Sequence, residues 1–141
     1  MCVKYGGALS DRLPVYHGVP TGSVLGPQLF NIYINSLLMS LPSDSTVAYA
    51  DDVTLISYGM TADDATKNMQ ILLTGIDVWA SSNLMAVNAS KCFTMLISPF
   101  IRKNCSHIQQ VKLGSTLLST VNSMRILGVQ FCDDLWGGAT R

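Results

Sequence analysis

The chain has 141 residues, of which 48% are hydrophobic and only 13% charged, and nine basic residues balance nine acidic ones. An average soluble domain has about 25% charged residues. The apolar content excludes a disordered chain, and the scattered Gly and Pro exclude a collagen-like one. The net charge of zero does not favour a strongly basic nucleic-acid binder. The length predicts one domain, and the low charge suggests that part of the surface is meant to be covered.

Targeting and metal-binding signals are weak. The first seven residues lack the apolar run of a signal peptide, and no stretch approaches the ~20 apolar residues of a membrane-spanning helix. We therefore expect no membrane contact and an intracellular location, cytoplasmic or nuclear or both. The four cysteines are widely separated and form no C-x-x-C motif, which predicts free thiols rather than a zinc site.

The first half of the chain predicts one helix and one hairpin. Residues 13–17 read as a short extended segment that runs into a Gly/Pro-rich loop. Pro27 suits the first position of a helix, whose apolar face recurs every three to four residues until Pro42 ends it. Residues 46–50 and 53–58 are rich in β-branched and aromatic side chains and predict a hairpin with Asp51 and Asp52 at its bend.

The second half predicts a long helix followed by strands. Thr61 is a candidate N-cap, an apolar face recurs from residue 65 to residue 80, and Asn83 is a candidate stop. Strands are predicted at 92–97, at 111–113 and 116–118 as a hairpin, and at 124–131. The resulting fold class is α+β, with an antiparallel sheet and the helices packed on one of its faces.

Three Asp-Asp pairs allow an internal comparison. The pair at 63–64 lies in a first helical turn, where carboxylates stabilise the helix, and the pair at 133–134 reads as solvated. Asp51 and Asp52 instead interrupt an apolar run, and burial of either flank would draw two repelling carboxylates toward low dielectric. A divalent cation such as Mg²⁺ would explain them, and a solvated turn is the equally weighted alternative.

The Gly/Pro-rich loop, residues 18–27, contains three glycines and two prolines immediately before the first helix. Such a loop can approach a phosphate or nucleotide closely. It has no Lys for a Walker-type loop and no G-x-G-x-x-G pattern, so taken alone it favours an ordinary turn before a helix.

Together, these segments resemble the palm of reverse transcriptases from non-LTR (LINE-type) retrotransposons. The resemblance rests on four motifs in the family's order: residues 18–35 (GVPTGSVLGPQLFNIYIN), residues 49–52 (YADD), the N-x-x-K segment at 88–91 followed by Thr94, and residues 127–129 (LGV). It spans roughly residues 13–136, nearly the whole chain. The fold class it implies is a partial polymerase palm.

The resemblance also implies roles for individual residues. Asp51 and Asp52 would be the catalytic carboxylates that hold Mg²⁺ in a two-metal site, and Lys91 would act as a general acid toward the leaving pyrophosphate. The alternative for Lys91 is a solvated turn cation. Nucleotide or template binding is implied for Pro20, Thr21, Gly22 and Tyr49, and primer gripping for Leu127, Gly128 and Val129.

The chain also departs from the family pattern. Thr21 stands where the family usually has Gln, and Ser36 stands where it often has Asp. The first metal-binding Asp motif is missing, because Asp11 alone precedes the loop, and no fingers subdomain is evident. We therefore predict a partial palm over residues 1–135, a truncated start of the thumb or connection region over 136–141, and an incomplete two-metal site.

Three interpretations of function follow. The first is a fragment of an RNA-directed DNA polymerase that performs template-directed nucleotidyl transfer in retrotransposition and is inactive in isolation. Its partners would be an RNA template, a DNA primer, deoxynucleoside triphosphates and the missing fingers and thumb. The second is a non-catalytic module that binds nucleic acid or a partner protein, and the third is a transposon relic without a selected function.

Overall fold

The computed structural model describes residues 2–14, 18–19, 22–98 and 110–134. The chain divides into two compact units, Met1–Ser36 and Leu37–Arg141. The predicted thumb or connection start at 136–141, part of the predicted extended segment (residues 15–17) and the loop residues Pro20 and Thr21 lie outside the described residues.

The first unit contains a small hairpin and the start of a helix. Strands β1 (Lys4–Tyr5) and β2 (Ala8–Leu9) pair antiparallel around Gly6 and Gly7, whose φ angles of 55° and 87° favour glycine. Helix α1 (Gly26–Ser40) begins one residue before Pro27 and ends ahead of Pro42, close to the predicted limits.

The second unit opens with the predicted hairpin. Strands β3 (Thr46–Tyr49) and β4 (Asp52–Leu55) pair antiparallel, with Thr46 opposite Leu55 and Tyr49 opposite Asp52. A hydrogen bond from Ile56 N to Ser45 O, 2.8 Å long, extends the pairing beyond the two strands. The hairpin is therefore confirmed, with strands shorter than the sequence predicts.

Helix α2 (Ala62–Ser82) agrees closely with its prediction. Thr61 is the N-cap and forms a capping box with Asp64, in which Thr61 Oγ1 accepts from Asp64 N at 3.1 Å and Thr61 N donates to Asp64 Oδ2 at 3.2 Å. Asn83 is the C-cap, as predicted, and Leu84 follows it in a left-handed conformation with φ 53°.

The remaining elements are short. A 3-10 turn (Ala89–Lys91) comes first, followed by six strands. These are β5 (Phe93–Thr94), β6 (Lys112–Leu113), β7 (Thr116–Leu117), β8 (Ser119–Thr120), β9 (Ser123–Ile126) and β10 (Val129–Cys132).

Two strand predictions need correction. The predicted strand at 124–131 is a hairpin, because β9 and β10 pair antiparallel across a two-residue loop. The predicted strand at 92–97 shortens to β5. The α+β class is confirmed, but the single antiparallel sheet is not: the described strands form five two-stranded sheets, and β5 pairs with β8 in parallel.

The buried apolar residues of the second unit come from the end of α1, from α2 and from the β6–β7 hairpin and its flanks. Gln70 on α2 fastens that hairpin with two hydrogen bonds, since its Oε1 accepts from Lys112 N at 2.8 Å and its Nε2 donates to Lys112 O at 3.0 Å. The buried apolar side chains of this unit are Leu37, Leu41, Leu73, Ile76, Ala80, Val111, Leu113 and Leu118. Their burial is the main stabilising contribution to the unit.

Within the described part of the chain, neither helix is both long and apolar enough to cross a membrane. The described cysteines, Cys2, Cys92 and Cys132, are free thiols.

Candidate active site

The β3–β4 hairpin places the two candidate carboxylates at its tip. Tyr49 and Asp52 are paired, so the connecting loop consists of Ala50 and Asp51 alone. The prediction that both acids lie in the bend is therefore only half right: Asp51 is a loop residue, and Asp52 is the first residue of β4. Asp51 and Asp52 therefore lie at the end of a short, hydrogen-bonded hairpin rather than in a long loop.

One face of this hairpin is open to solvent at its tip. Because directly opposed residues in an antiparallel pair lie on the same face, Tyr49 and Asp52 share a face, which Val47 continues. These three side chains are exposed, Tyr49 by 66%. On the other face, Val53 and Leu55 are half-buried. The hairpin therefore presents an aromatic ring beside a carboxylate to whatever approaches its tip.

Both carboxylates are solvent-exposed, which corrects the expectation that burial draws them toward low dielectric. Water screens the repulsion between them, so folding alone does not require a counterion at this position. The argument for a cation consequently rests on the chemistry of the donors and on their placement at the tip.

The loop has an unusual backbone. Ala50 has a φ of 52°, which is left-handed and costs an L-residue on the order of 1 kcal/mol or more. A two-residue hairpin needs a positive φ at one or both loop positions, and Gly, Asn or Asp normally supplies it. Strain of this kind is typical of functional sites, where the surrounding pairing holds the unfavourable conformation in place.

The donor set suits a hard divalent cation but is small. Carboxylate oxygens are the ligands that Mg²⁺ prefers, usually one or two from the protein together with water and substrate phosphates. In the part of the chain that the structure describes, no group of three or more His, Cys, Asp or Glu side chains could hold a metal ion. Asp51 and Asp52 thus fit a cation that other ligands help to hold.

The other two Asp-Asp pairs differ from this one. Asp64 is used in the capping box of α2, where its Oδ2 accepts from Thr61 N and lies 2.7 Å from Thr61 Oγ1. Asp133 extends the β9–β10 pairing through a 2.9 Å hydrogen bond from its backbone N to Asn122 O. Of the three pairs, the one at 51–52 alone forms the tip of a hairpin loop.

Lys91 lies at the end of the 3-10 turn, with an exposed side chain. Asn88 is the N-cap of this turn, and its Oδ1 accepts from Ser90 N at 3.2 Å and from Ser90 Oγ at 2.6 Å. Cys92 follows, and burial raises the pKa of its thiol. The segment that bears Lys91 is thus a defined turn rather than an irregular loop.

The predicted primer-gripping residues form the tip of the β9–β10 hairpin. Leu127 and Gly128 are its two loop residues, with φ values of 47° and 88°, and Val129 begins β10. Leu127 is 59% exposed. Two positive φ angles define the type I′ turn, which Asn-Gly fits far better than Leu-Gly. An exposed Leu in this conformation is a second strained tip.

The Gly/Pro-rich loop is described only in part. Gly22 is exposed and has a φ of 80°, which fits a glycine in a tight turn. Pro20 and Thr21 lie outside the described residues. This loop belongs to the first unit, whereas the β3–β4 and β9–β10 hairpins and Lys91 belong to the second.

Sequence reasoning included Asn88 and Ala50 in its motifs but gave neither residue a role in shaping the site. Asn88 had a readable signal, because Asn followed two positions later by a hydrogen-bonding partner favours an Asx turn. Ala50 had none, since alanine is not a residue that normally marks a positive φ.

Comparison with known proteins gives a consistent result. The family model described as reverse transcriptase (RNA-dependent DNA polymerase) matches residues 2–131. No solved structure shows a significant match.

Several curated relatives carry names of the same kind. "RNA-directed DNA polymerase from mobile element jockey" of Drosophila funebris is 31% identical over 119 residues, which are 79% of this chain. "Probable RNA-directed DNA polymerase from transposon X-element" of Drosophila melanogaster is 34% identical over 101 residues, 66% of this chain. The chain spans 13% and 11% of the lengths of these two proteins. With the family model covering most of its length, the chain belongs to the reverse transcriptase family.

Proposed function

We propose that this chain is part of an RNA-directed DNA polymerase that performs template-directed nucleotidyl transfer during non-LTR retrotransposition. The observation that carries the proposal is the strained β3–β4 tip with Asp51 and Asp52, in a chain whose residues 2–131 match the family. In this proposal residues 1–135 are part of a polymerase palm, and the protein lies within a cell, in the cytoplasm or nucleus.

Asp51 and Asp52 are the proposed metal ligands. Reverse transcriptases use divalent metal ions, and the exposed carboxylates supply the hard oxygen donors that Mg²⁺ requires. When bound, the cation neutralises phosphate charge during in-line displacement. We propose that the two-metal site is incomplete in the 141-residue chain, because the family's first metal-binding Asp motif has no match before the Gly/Pro-rich loop.

The other site residues contact nucleic acid or nucleotide in this proposal. Tyr49 shares the exposed face with Asp52 and lies beside the primer terminus. Lys91 approaches the triphosphate, and its ammonium donates a proton to the pyrophosphate that leaves when the primer 3′ oxygen attacks the α-phosphorus. Leu127, Gly128 and Val129 grip the primer, and Pro20, Thr21 and Gly22 lie against the nucleotide and template.

The proposed partners are an RNA template, a DNA primer, deoxynucleoside triphosphates and the fingers and thumb subdomains. The exposed apolar residues of both hairpin tips, Val47 and Tyr49 on one and Leu127 and Val129 on the other, support the existence of such partners. Apolar surface of this kind commonly marks an interaction site.

Nucleotide binding tests the proposal that Asp51 holds a metal ion beside a bound nucleotide. The chain should bind a fluorescent deoxynucleoside triphosphate in the presence of Mg²⁺, and chelation of Mg²⁺ or the Asp51→Asn substitution should weaken binding at least about tenfold, the effect of losing a charge-assisted contact. Asp63→Asn is the matched control, because this acid lies in the first turn of α2. Binding that is equally strong with chelator, or in Asp51→Asn, would overturn the assignment.

Primer extension tests the incompleteness of the metal site. Given a primed RNA template, deoxynucleoside triphosphates and Mg²⁺ or Mn²⁺, the 141-residue chain should extend no primer. Extension that Asp51→Ala abolishes would show instead that the site is complete in this chain.

A further inference from the structure

The turn that bears Lys91 is built around Asn88. The Asn88 Oδ1 accepts two hydrogen bonds from Ser90, one from the backbone N and one from Oγ. The Asn88 carbonyl oxygen accepts from Lys91 N at 3.0 Å and from Cys92 Sγ at 3.4 Å. Asn88 therefore holds Ser90, Lys91 and Cys92 in place through these hydrogen bonds.

The other end of the segment is fixed independently. Strand β5 pairs in parallel with β8, with Thr94 opposite Thr120, and Val121 N donates to Thr94 O at 2.8 Å. The two threonine hydroxyls lie 3.2 Å apart, and Thr94 Oγ1 also donates to Ser119 O. Lys91 thus lies between two anchors, one formed by Asn88 and one by Thr94.

Anchoring matters for lysine in particular. Its side chain is long and flexible, and holding a lysine in one place costs about 2 kcal/mol of rotamer entropy before any contact is made. A backbone fixed on both sides adds no further ordering cost when a ligand arrives. The exposed Lys91 side chain therefore begins from a defined Cα position.

We propose that Asn88 is a positioning residue for Lys91: its side-chain oxygen holds the turn that aims the ammonium at a nucleotide's phosphates. This inference rests on the proposed role of Lys91 in nucleotide binding. It adds a residue whose contribution is indirect, because Asn88 acts on the phosphates through Lys91.

A double-mutant cycle on triphosphate affinity tests the proposal. With a fluorescent deoxynucleoside triphosphate and Mg²⁺, Lys91→Gln should weaken binding about tenfold through loss of a charge-assisted contact. Asn88→Ala should weaken it about fivefold, the usual effect of losing a capping side chain. The double variant should lose about tenfold, not fiftyfold, because Asn88 acts only through Lys91.

Two further variants separate positioning from folding. Asn88→Ser keeps a neutral capping oxygen and should restore most of the affinity. Asn122→Ala is the matched control, an exposed asparagine of the same unit, and should bind as the unchanged chain does. Circular dichroism should show the same helix content in every variant.

The outcomes distinguish this inference from the function on which it rests. Additive losses in the double variant, or full affinity in Asn88→Ala alongside a weakened Lys91→Gln, would overturn the positioning role alone. No triphosphate binding by the unchanged chain, or full affinity in Lys91→Gln, would overturn the proposed role of Lys91 as well.

Discussion

Among the described residues, three other than glycine have a left-handed backbone: Ala50, Leu84 and Leu127, with φ values of 52°, 53° and 47°. Leu84 follows the end of α2, where its N donates to Ser81 O and Met85 N donates to Ala80 O. These two bonds complete a Schellman motif, so Leu84 serves the helix. Ala50 and Leu127 instead lie at the tips of the two hairpins that we propose contact substrates.

Replacing Ala50 with glycine tests the strain at the tip where we propose that a metal ion binds. Glycine removes a left-handed penalty of about 1–2 kcal/mol but loses roughly 0.5–1 kcal/mol more conformational entropy on folding. We expect the free energy of unfolding of Ala50→Gly to rise by as much as ~1 kcal/mol, measured by urea denaturation. Ala48→Gly, in the middle of β3, is the matched control and should destabilise instead. Equal destabilisation by both variants would mean that Ala50 is unstrained.

The helices and strands of the second unit differ in how strongly their local sequence determines them. Helix α2 is 21 residues long and is defined at both ends by side-chain or backbone caps. Its half-buried and buried face includes the residues that apolar periodicity predicts: Ala65, Met69, Leu72, Leu73, Ile76, Trp79 and Ala80. The strands, in contrast, are two to four residues long and depend on packing for their order.

The N-cap of α2 provides a prediction at this scale. Thr61→Ala removes the hydroxyl that accepts from Asp64 N, and we expect it to lower the free energy of unfolding by about 1 kcal/mol. Thr61→Ser keeps the hydroxyl and should cost much less. Chemical denaturation followed by circular dichroism at 222 nm measures both. Equal losses in the two variants would assign the effect to the threonine methyl group rather than to the cap.

At the scale of the whole molecule, the second unit has one shared apolar core, and much apolar surface lies outside it. Buried residues from α2 and from the β6–β7 hairpin meet in that core, while apolar side chains at both hairpin tips are exposed. This distribution agrees with the proposal that the chain is part of a larger polymerase and contacts nucleic acid and other subdomains.

Two leucines four residues apart test the position of the core. Leu113 is 6% exposed and Leu117 is 52% exposed, although they lie on paired strands of one hairpin. Leu113→Ala should lower the free energy of unfolding by about 2–4 kcal/mol, because it removes buried methyl groups and leaves a cavity. Leu117→Ala should change it by less than ~0.5 kcal/mol. Comparable losses in urea denaturation would contradict this core.

Local signals predicted the locally determined parts of the fold. Thr61 and Asn83 cap the two ends of α2 as expected, and the β-branched runs on either side of Asp51 form the expected hairpin. The β9–β10 turn was missed because leucine is a poor type I′ residue, so its run reads as one strand. The parallel pairing of Phe93 with Ser119 joins residues 26 positions apart, and no local pattern encodes such a contact.

The hairpin that carries the two acids was predictable, but its geometry was less so. The β-branched and aromatic runs identified the hairpin, yet the sequence could not assign Asp51 to the loop and Asp52 to a strand, since that depends on which pair closes the turn. Exposure was also misjudged. The apolar run on both sides of the acids suggested burial, whereas both acids lie at the exposed tip of a two-stranded sheet.

The most direct test of the central claim is to locate a bound divalent cation on the 141-residue chain. Mn²⁺ added in the presence of a deoxynucleoside triphosphate should broaden the backbone amide NMR signals most strongly at residues 49–52, since paramagnetic broadening falls steeply with distance. Asp51→Asn should remove this broadening, and Asp63→Asn should leave it unchanged. Broadening centred on residues 63–64 or 133–134, or undiminished in Asp51→Asn, would contradict the assignment of this hairpin as the metal site.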